Sequence, residues 1–360
     1  LVVFLWMRYT FLSLVLFISV HCLSQEDSTK SIKVAAYVDM YYSYDFSNPN
    51  NFEKPDFNYN YKKHNQLNVN LAFVKLGYQS SRMRSNLALM TGNYAMYNLS
   101  VEPNWAKPLL EANMGYKPFK QHNMWIDAGV MPSHIGFESA VGSDCWNLTR
   151  SILAENSPYY ETGIKLSYTN KREDLFFAFH VLNGWQKIAI TNKDQAPSVG
   201  IQLTYKPSST LTLNYSNFIG RISLDTMDAL RVFHNLYAIY EVSPKTAFIF
   251  GFDIGTQQNE TKTTAVWYTP VLIGKLNLNP KSKIAARLEY YSDKQQIIIP
   301  TATPNGYRTF GASVNYDRQI TPNVLWRAEL KQYQSKDPIY RYDQRMSSQT
   351  SATMALIIKF

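Results

Sequence analysis

The chain has little of what most protein chemistry uses. It holds 2 cysteines in 360 residues. Cys22 lies in a stretch that reads as a leader, so Cys145 alone remains and no internal disulfide is available. Histidine is sparse as well: His64, His122, His134, His180 and His234 are dispersed, with no HExxH and no paired metal spacing. No glycine-rich phosphate loop occurs. The sequence therefore gives no cofactor and no metal to expect. Ser133 precedes His134, but adjacency in a loop is not the geometry of a nucleophile beside its base. No enzyme is expected.

Charge is also in short supply. Charged residues make up 18% of the chain, against roughly 25% in soluble domains. The formal net charge is +9, yet lysine and arginine are scattered and no basic cluster forms. Nucleic acid is therefore not expected as a partner, and a mildly cationic lumen or set of loops accounts for the balance. Beyond the first few dozen residues no apolar run is long enough for a spanning helix.

The first stretch reads as a secretory signal peptide. Arg8 follows Met7, an apolar run covers Tyr9 to Val20, and Cys22-Leu23-Ser24 sets small residues before Gln25. Cleavage after Ser24 is expected. Lipidation at Cys22 is the alternative, although His21 fits its small-residue requirement poorly. The expected division is 1–24 signal peptide, 25–31 a short N-terminal segment and 32–360 one β-domain.

What the chain has in quantity is tyrosine, 26 residues, within an aromatic fraction of 14% and a hydrophobic fraction of 45%. Mean hydropathy is nevertheless −0.28. Apolar and polar residues alternate along the whole mature chain with a period of two, the signature of strands with one greasy face. The last ten residues show it: Phe360, Ile358, Leu356, Met354 and Ala352 are apolar, with the mixed set Lys359, Ile357, Ala355, Thr353 and Ser351 between them. Ile32-Val34-Ala36-Val38-Met40 is another such face, opposite Lys33 and Asp39. So are Leu67-Val69-Leu71-Phe73, Thr162-Ile164-Leu166-Tyr168, Ile284-Ala286-Leu288-Tyr290, Phe310-Ala312-Val314-Tyr316 and Val324-Trp326-Ala328-Leu330. Turn residues sit where the period breaks, as in Lys117-Pro118, Pro207-Ser208, Ser243-Pro244 and Pro280-Lys281.

About sixteen strands are predicted, an even number as in single-chain bacterial barrels. Short turns fall on one end and longer loops on the other. A soluble sandwich has no reason to alternate loop lengths so, nor to carry Arg287-Glu289 or Arg327-Glu329-Lys331 opposite an apolar face unless that face meets water. The fold class read from these patterns is all-β, a transmembrane antiparallel β-barrel. Tyr116, Tyr168, Tyr205, Tyr240, Tyr290 and Tyr316 are placed near the short-turn ends as a periplasmic-side girdle. A soluble secreted β-protein is the alternative.

Two stretches resemble a known family. Trp125-Ile126-Asp127-Ala128-Gly129-Val130-Met131-Pro132-Ser133-His134-Ile135-Gly136-Phe137-Glu138-Ser139 and Asn147-Leu148-Thr149-Arg150-Ser151, followed by Glu155 to Gly163, look like the β-barrel porins of the OmpL-like type. The resemblance implies an outer-membrane porin that takes small hydrophilic solutes, sits among outer-membrane lipids and is inserted by barrel-assembly machinery. By the same resemblance the terminal Phe360 is the aromatic of an assembly signal, and the last strand closes the barrel against the first. A homo-oligomer stays open, and so does a non-conducting barrel acting as adhesin or receptor through its loops.

The longest ordered-looking loop, 133–158, is the third on the long-loop side, the one that folds inward in general diffusion porins. It carries Glu138, Asp144, Arg150 and Glu155. Ser143 is placed as the N-cap of a short helix from Asp144 to Ala154. The loop either enters the barrel or caps it from outside. With the strand charges Lys165, Arg287, Glu289, Arg327 and Glu329, its charged residues form the candidate pore set, with the loop acids expected to face Arg287 and Arg327.

Overall fold

A computed structural model describes residues 30–190, 196–223, 228–258, 263–340 and 346–360. The expected signal peptide lies outside these residues. Among the described residues no helix is long and apolar enough to cross a membrane.

Sixteen antiparallel strands close into one barrel. They are β1 (Ser31–Asp45), β2 (Leu67–Gln79), β3 (Met83–Thr91), β4 (Leu109–Tyr116), β5 (Asn123–Pro132), β6 (Tyr160–Thr169), β7 (Leu175–Leu182) and β8 (Ser198–Ser208). The second half comprises β9 (Leu211–Ser223), β10 (Asp228–Glu241), β11 (Thr246–Gln258), β12 (Thr264–Asn279), β13 (Ser282–Asp293), β14 (Tyr307–Thr321), β15 (Val324–Ser335) and β16 (Ser348–Lys359). Each strand pairs with its neighbours in sequence, and β16 closes on β1 with Val38 opposite Ile358 and Asp45 opposite Ser351. Closure leaves no unpaired edge, which a barrel in lipid requires. The strand count and the closing pair agree with the sequence pattern.

The period-two alternation sorts side chains as the pattern implies. Val34, Val74, Leu87, Met114, Phe250, Leu288, Val314, Leu330, Met354 and Phe360 are exposed on the outside. Asp39, Asn70, Asp127, Asn235, Asp253, Asn315 and Arg327 are buried on the inside. A soluble protein would show the reverse; an apolar outer band over a polar interior is the arrangement of a barrel in lipid.

Short turns occupy one end and the longer loops the other, with one difference from the sequence reading. Tyr290 lies toward the long-loop end of β13, where its ring faces Tyr268 at 6.2 Å, so it belongs to the opposite rim from Tyr116, Tyr168, Tyr205, Tyr240 and Tyr316. On the long-loop side β3 stops at Thr91, Gly92 takes φ 115°, and Asn93–Asn98 form a helix. A Cβ at Gly92 would run into the Asn70 carbonyl, at 2.6 Å, so this sharp exit from β3 needs glycine.

The core lies inside the barrel, where loop residues pack against inward-facing strand residues. Leu153, Ala154, Tyr159 and Leu99 pack with Tyr94. Phe57 packs with Tyr307, Tyr333 and Tyr340, and Leu148 with Tyr41 and Tyr61.

Candidate functional site

The 133–158 loop leaves β5 at Pro132 and rejoins the wall at β6. Its neck is closed by the Ser133 N–H donating to the Tyr159 carbonyl at 3.0 Å. Between these points it runs inside the barrel. Ile152, Leu148, Leu153 and Cys145 are buried there, and Phe137 fits against β11 where Gly251 leaves room for its ring. Of the two placements that the sequence left open, the structure shows the inward one.

The expected helix from Asp144 to Ala154 does not form. A single 3-10 turn covers Gly142–Asp144, and a four-residue helix, Ile152–Glu155, is capped by Ser151, whose side chain accepts from the Ala154 N–H at 3.1 Å. The reason lies in the backbone between them. Leu148 N–H donates to Asn315 Oδ1 at 3.0 Å, Thr149 N–H to Glu329 Oε2 at 2.5 Å and Ile152 N–H to Glu289 Oε2 at 2.5 Å. An α-helix would bond most of those N–H groups within itself. The wall carboxylates offer charge-assisted bonds instead, which are about twice as strong as neutral ones.

The wall cations take the loop's carbonyls. Arg327 donates to Gly142 O at 2.6 Å and to Cys145 O and Trp146 O, each at 3.0 Å. Arg287 donates to Thr149 O at 2.8 Å, and Lys331 to Arg150 O at 2.8 Å. The wall charges are also paired among themselves. Arg287 meets Glu289 at 3.1 Å and Glu329 at 3.2 Å, and Arg327 meets Asp317 at 2.7 Å. The expectation that loop acids face Arg287 and Arg327 is thus largely replaced by carbonyl contacts. Only Glu138 approaches Arg287, at 3.7 Å, and its other oxygen accepts from Ser151 N–H at 3.0 Å. Asp317 is a buried β14 residue that orients Arg327.

The remaining candidates separate. Arg150 is fully buried and braces the loop from within, donating to Ser139 O at 2.7 Å, Leu148 O at 2.8 Å and Ala140 O at 3.1 Å. Glu155 reaches the 46–66 loop, accepting from Tyr59 N–H at 2.8 Å and Asn60 N–H at 3.1 Å. Burial pushes its carboxyl above the ordinary value, while those N–H bonds and the charges of Lys331 and Arg150 hold against the shift. Asp144 is exposed and lines a cavity of about 610 Å³ between the loop's inner side and the wall, with Lys75, Glu111 and Lys359. Lys165, half-buried, stands 3.7 Å from Asp127. Cys145 is a free thiol, and burial pushes its pKa up, which leaves it unreactive. A second cavity opens toward the outer loops, lined by Lys54, Phe57, Asn156 and Ile299. The 133–158 loop borders both.

Sequence reading missed Asn315 and Ser313 as loop anchors, and Asp317 as the partner that orients Arg327, since nothing marks a strand residue as facing a loop more than a hundred positions away. It also treated the histidines as scattered. Folding brings His134, Glu161 and His180 together at the loop neck, with ligand atoms within 4.8 Å of one another.

The family model described as "Putative beta-barrel porin-2, OmpL-like" matches residues 31–360. No curated protein sequence matches significantly. The chain is similar in structure to an anion-selective porin from Comamonas acidovorans, with TM-score 0.66 and 10% identity over 92% of this chain and 100% of that one. It is similar to Salmonella typhi OmpF, solved with daunomycin, with TM-score 0.61 and 10% identity over 93% and 99%. It is also similar to the outer-membrane channel DcaP of Acinetobacter baumannii, with TM-score 0.58 and 8% identity over 93% and 99%. At these identities the likeness is one of fold.

Proposed function

The chain belongs to the OmpL-like β-barrel porin-2 family, and from that premise we propose that it passes small hydrophilic solutes through the outer membrane by passive diffusion, with the 133–158 loop setting the narrowest point. The observation that carries the reading is the seating of that loop across the lumen by Arg287, Glu289, Arg327, Glu329 and Lys331, with one cavity on either side of it. In this reading the buried charges hold the gate in place, and solutes meet others: Asp144, Lys75, Glu111, Lys165 and the neighbouring wall. No catalytic step is assigned. Lipids of the outer membrane surround the apolar band, and the barrel-assembly machinery inserts the chain with exposed Phe360 as part of its signal. Self-association into a homo-oligomer belongs to the proposal, as does removal of residues 1–24.

The test is a planar-bilayer record of the protein and of a variant lacking 139–154, which contains the loop carbonyls that Arg327 and Arg287 bind. The parent should give discrete small steps, and the variant larger ones with faster entry of larger sugars into liposomes. Equal conductance in a correctly folded, heat-modifiable variant would remove the loop from the pathway. A parent with no conductance at all would favour the receptor reading.

A further inference from the structure

At the neck of the 133–158 loop three side chains with metal-ligand chemistry meet although the chain separates them. His134 comes from the loop, Glu161 from the second position of β6 and His180 from β7. All three are buried, with His134 at 5%, Glu161 at 2% and His180 at 1% exposure. His134 Nδ1 lies 2.6 Å from Glu161 Oε2, and His180 Nδ1 lies 2.8 Å from Glu161 Oε1. The two imidazole rings stack with centroids 4.1 Å apart.

Three observations say that the cluster is built, and what it lacks. His134 is held by its far side: Nε2 stands 2.8 Å from the Asn217 carbonyl, which it is placed to donate to, and its own carbonyl accepts from Ser216 Oγ at 2.8 Å. With Nε2 donating to a backbone carbonyl, the proton of the 2.6 Å hydrogen bond between Nδ1 and Glu161 Oε2 is the one a metal would replace. Nδ1 and the carboxylate would then both face the ion, with the backbone bond as the usual support of a metal-bound histidine. Gly200 makes space for that ring, since a Cβ there would stand 2.6 Å from His134 Nε2. Lastly, both nitrogens of His180 and Oε1 of Glu161 have no hydrogen-bond partner. The 2.8 Å approach of His180 to Glu161 is therefore a contact without hydrogen-bond alignment. Buried polar atoms are nearly always satisfied, so a nearly inaccessible imidazole left open beside an open carboxylate oxygen points to a missing cation.

We propose that His134, Glu161 and His180 form a binding site for a divalent transition metal of the zinc class, which clasps the loop neck to β6 and β7. Two imidazoles and one carboxylate are a borderline donor set that suits zinc and cobalt and does not suit calcium or magnesium, which take oxygen ligands. Three protein ligands leave a fourth position for water. Ligand distances of roughly 2.0–2.2 Å ask the three donor atoms to move apart and the rings to tilt on binding. Ligation gives His180 and Glu161 Oε1 their partner, and it ties the first residues of the loop to the wall at a point the Arg327 and Arg287 anchors do not reach. The site is independent of which solute the barrel passes.

Untagged protein, refolded in detergent and stripped with EDTA, is titrated with cobalt(II) and then zinc(II). One equivalent of cobalt per chain is expected, with the visible absorption of a four- or five-coordinate nitrogen-and-oxygen site, displaced by one equivalent of zinc. His180→Ala, and the shape-conserving His180→Gln as a check on folding, should each abolish the spectrum while keeping the heat-modifiable folded band. In the parent, zinc should slow proteolysis within 133–158 and raise the unfolding temperature, and EDTA should reverse both. An absence of stoichiometric cobalt binding, or binding that survives in folded His180→Gln, would overturn the proposal and leave the cluster as a proton-held contact.

Discussion

At the residue scale the inside of this barrel is governed by burial of charge. An Arg or Glu removed from water is costly unless it is paired and fully hydrogen-bonded. Arg327 meets that condition through Asp317 and three loop carbonyls. Lys54, in the 46–66 loop, does not. It is buried, donates to Thr353 Oγ1 at 3.3 Å, and burial together with repulsion from Lys331 lowers its pKa from 10.5 to about 8. The linkage sign follows directly. Between about pH 8 and 10.5 the unfolded chain keeps the proton and the folded chain releases it, so stability rises with pH across that window. Other lysines and tyrosines titrate nearby, so the measurement is a difference. The unfolding free energy of the parent minus that of Lys54→Met should rise from pH 7.5 to 10. A flat difference would mean that Lys54 is solvated in the folded barrel.

At the element scale the strands were legible in the sequence and the loop was legible only in part. Val34, Leu330 and Met354 face outward as their alternation demands, because period two leaves one degree of freedom and lipid decides it. Tyr290 was placed at the wrong rim because a face pattern carries no information about depth along a strand. The 144–154 helix was misread for a different reason. Local signals favoured it, but Glu289 and Glu329, far away in the chain, outcompeted the helix for the same N–H groups. The inserted loop also depends on fit. Phe137 occupies space that Gly251 leaves on β11 and meets Tyr237 edge-on at 5.8 Å. Gly251→Leu should displace Phe137 at a cost of about 1–3 kcal/mol, the usual range for overpacking. Thermal unfolding should fall accordingly, and the bilayer current should become larger or noisier as the loop loosens. A parent-like melt with a parent-like current would show that the loop is seated by its polar anchors alone.

At the scale of the whole molecule, part of the basic balance of the chain lies in the lumen. On the inner half of the lumen, Lys75 meets Glu111 at 2.6 Å, Arg84 meets Asp127 at 2.6 Å, and Lys283 meets Asp317 at 3.0 Å. Lys165 shares Asp127, and Lys275 sits over the Trp146 ring at 4.3 Å. The cations named here outnumber the acids that pair with them, and several are partly exposed, so a positive potential below the loop is the expectation to test. Asp144, exposed on the loop's inner side, is the acid that offsets it in the open part of the lumen, whereas Glu138 is held against Ser151 and Arg287 and is shielded from the water. The two acids, alike in the sequence reading, therefore sit in different environments. The reversal potential in a potassium chloride gradient should indicate anion preference for the parent and a stronger one for Asp144→Asn. Glu138→Gln should shift selectivity much less, and mainly destabilise the loop. Lys165→Gln should move selectivity toward cations. All these shifts should be largest near 0.01 M salt, where the screening length is about 30 Å, and nearly vanish at 1 M, where it is about 3 Å. A cation-selective parent would overturn the charge assignment. Equal shifts from Asp144→Asn and Glu138→Gln would place both acids in the solute path, and with them a loop seated differently against Arg287.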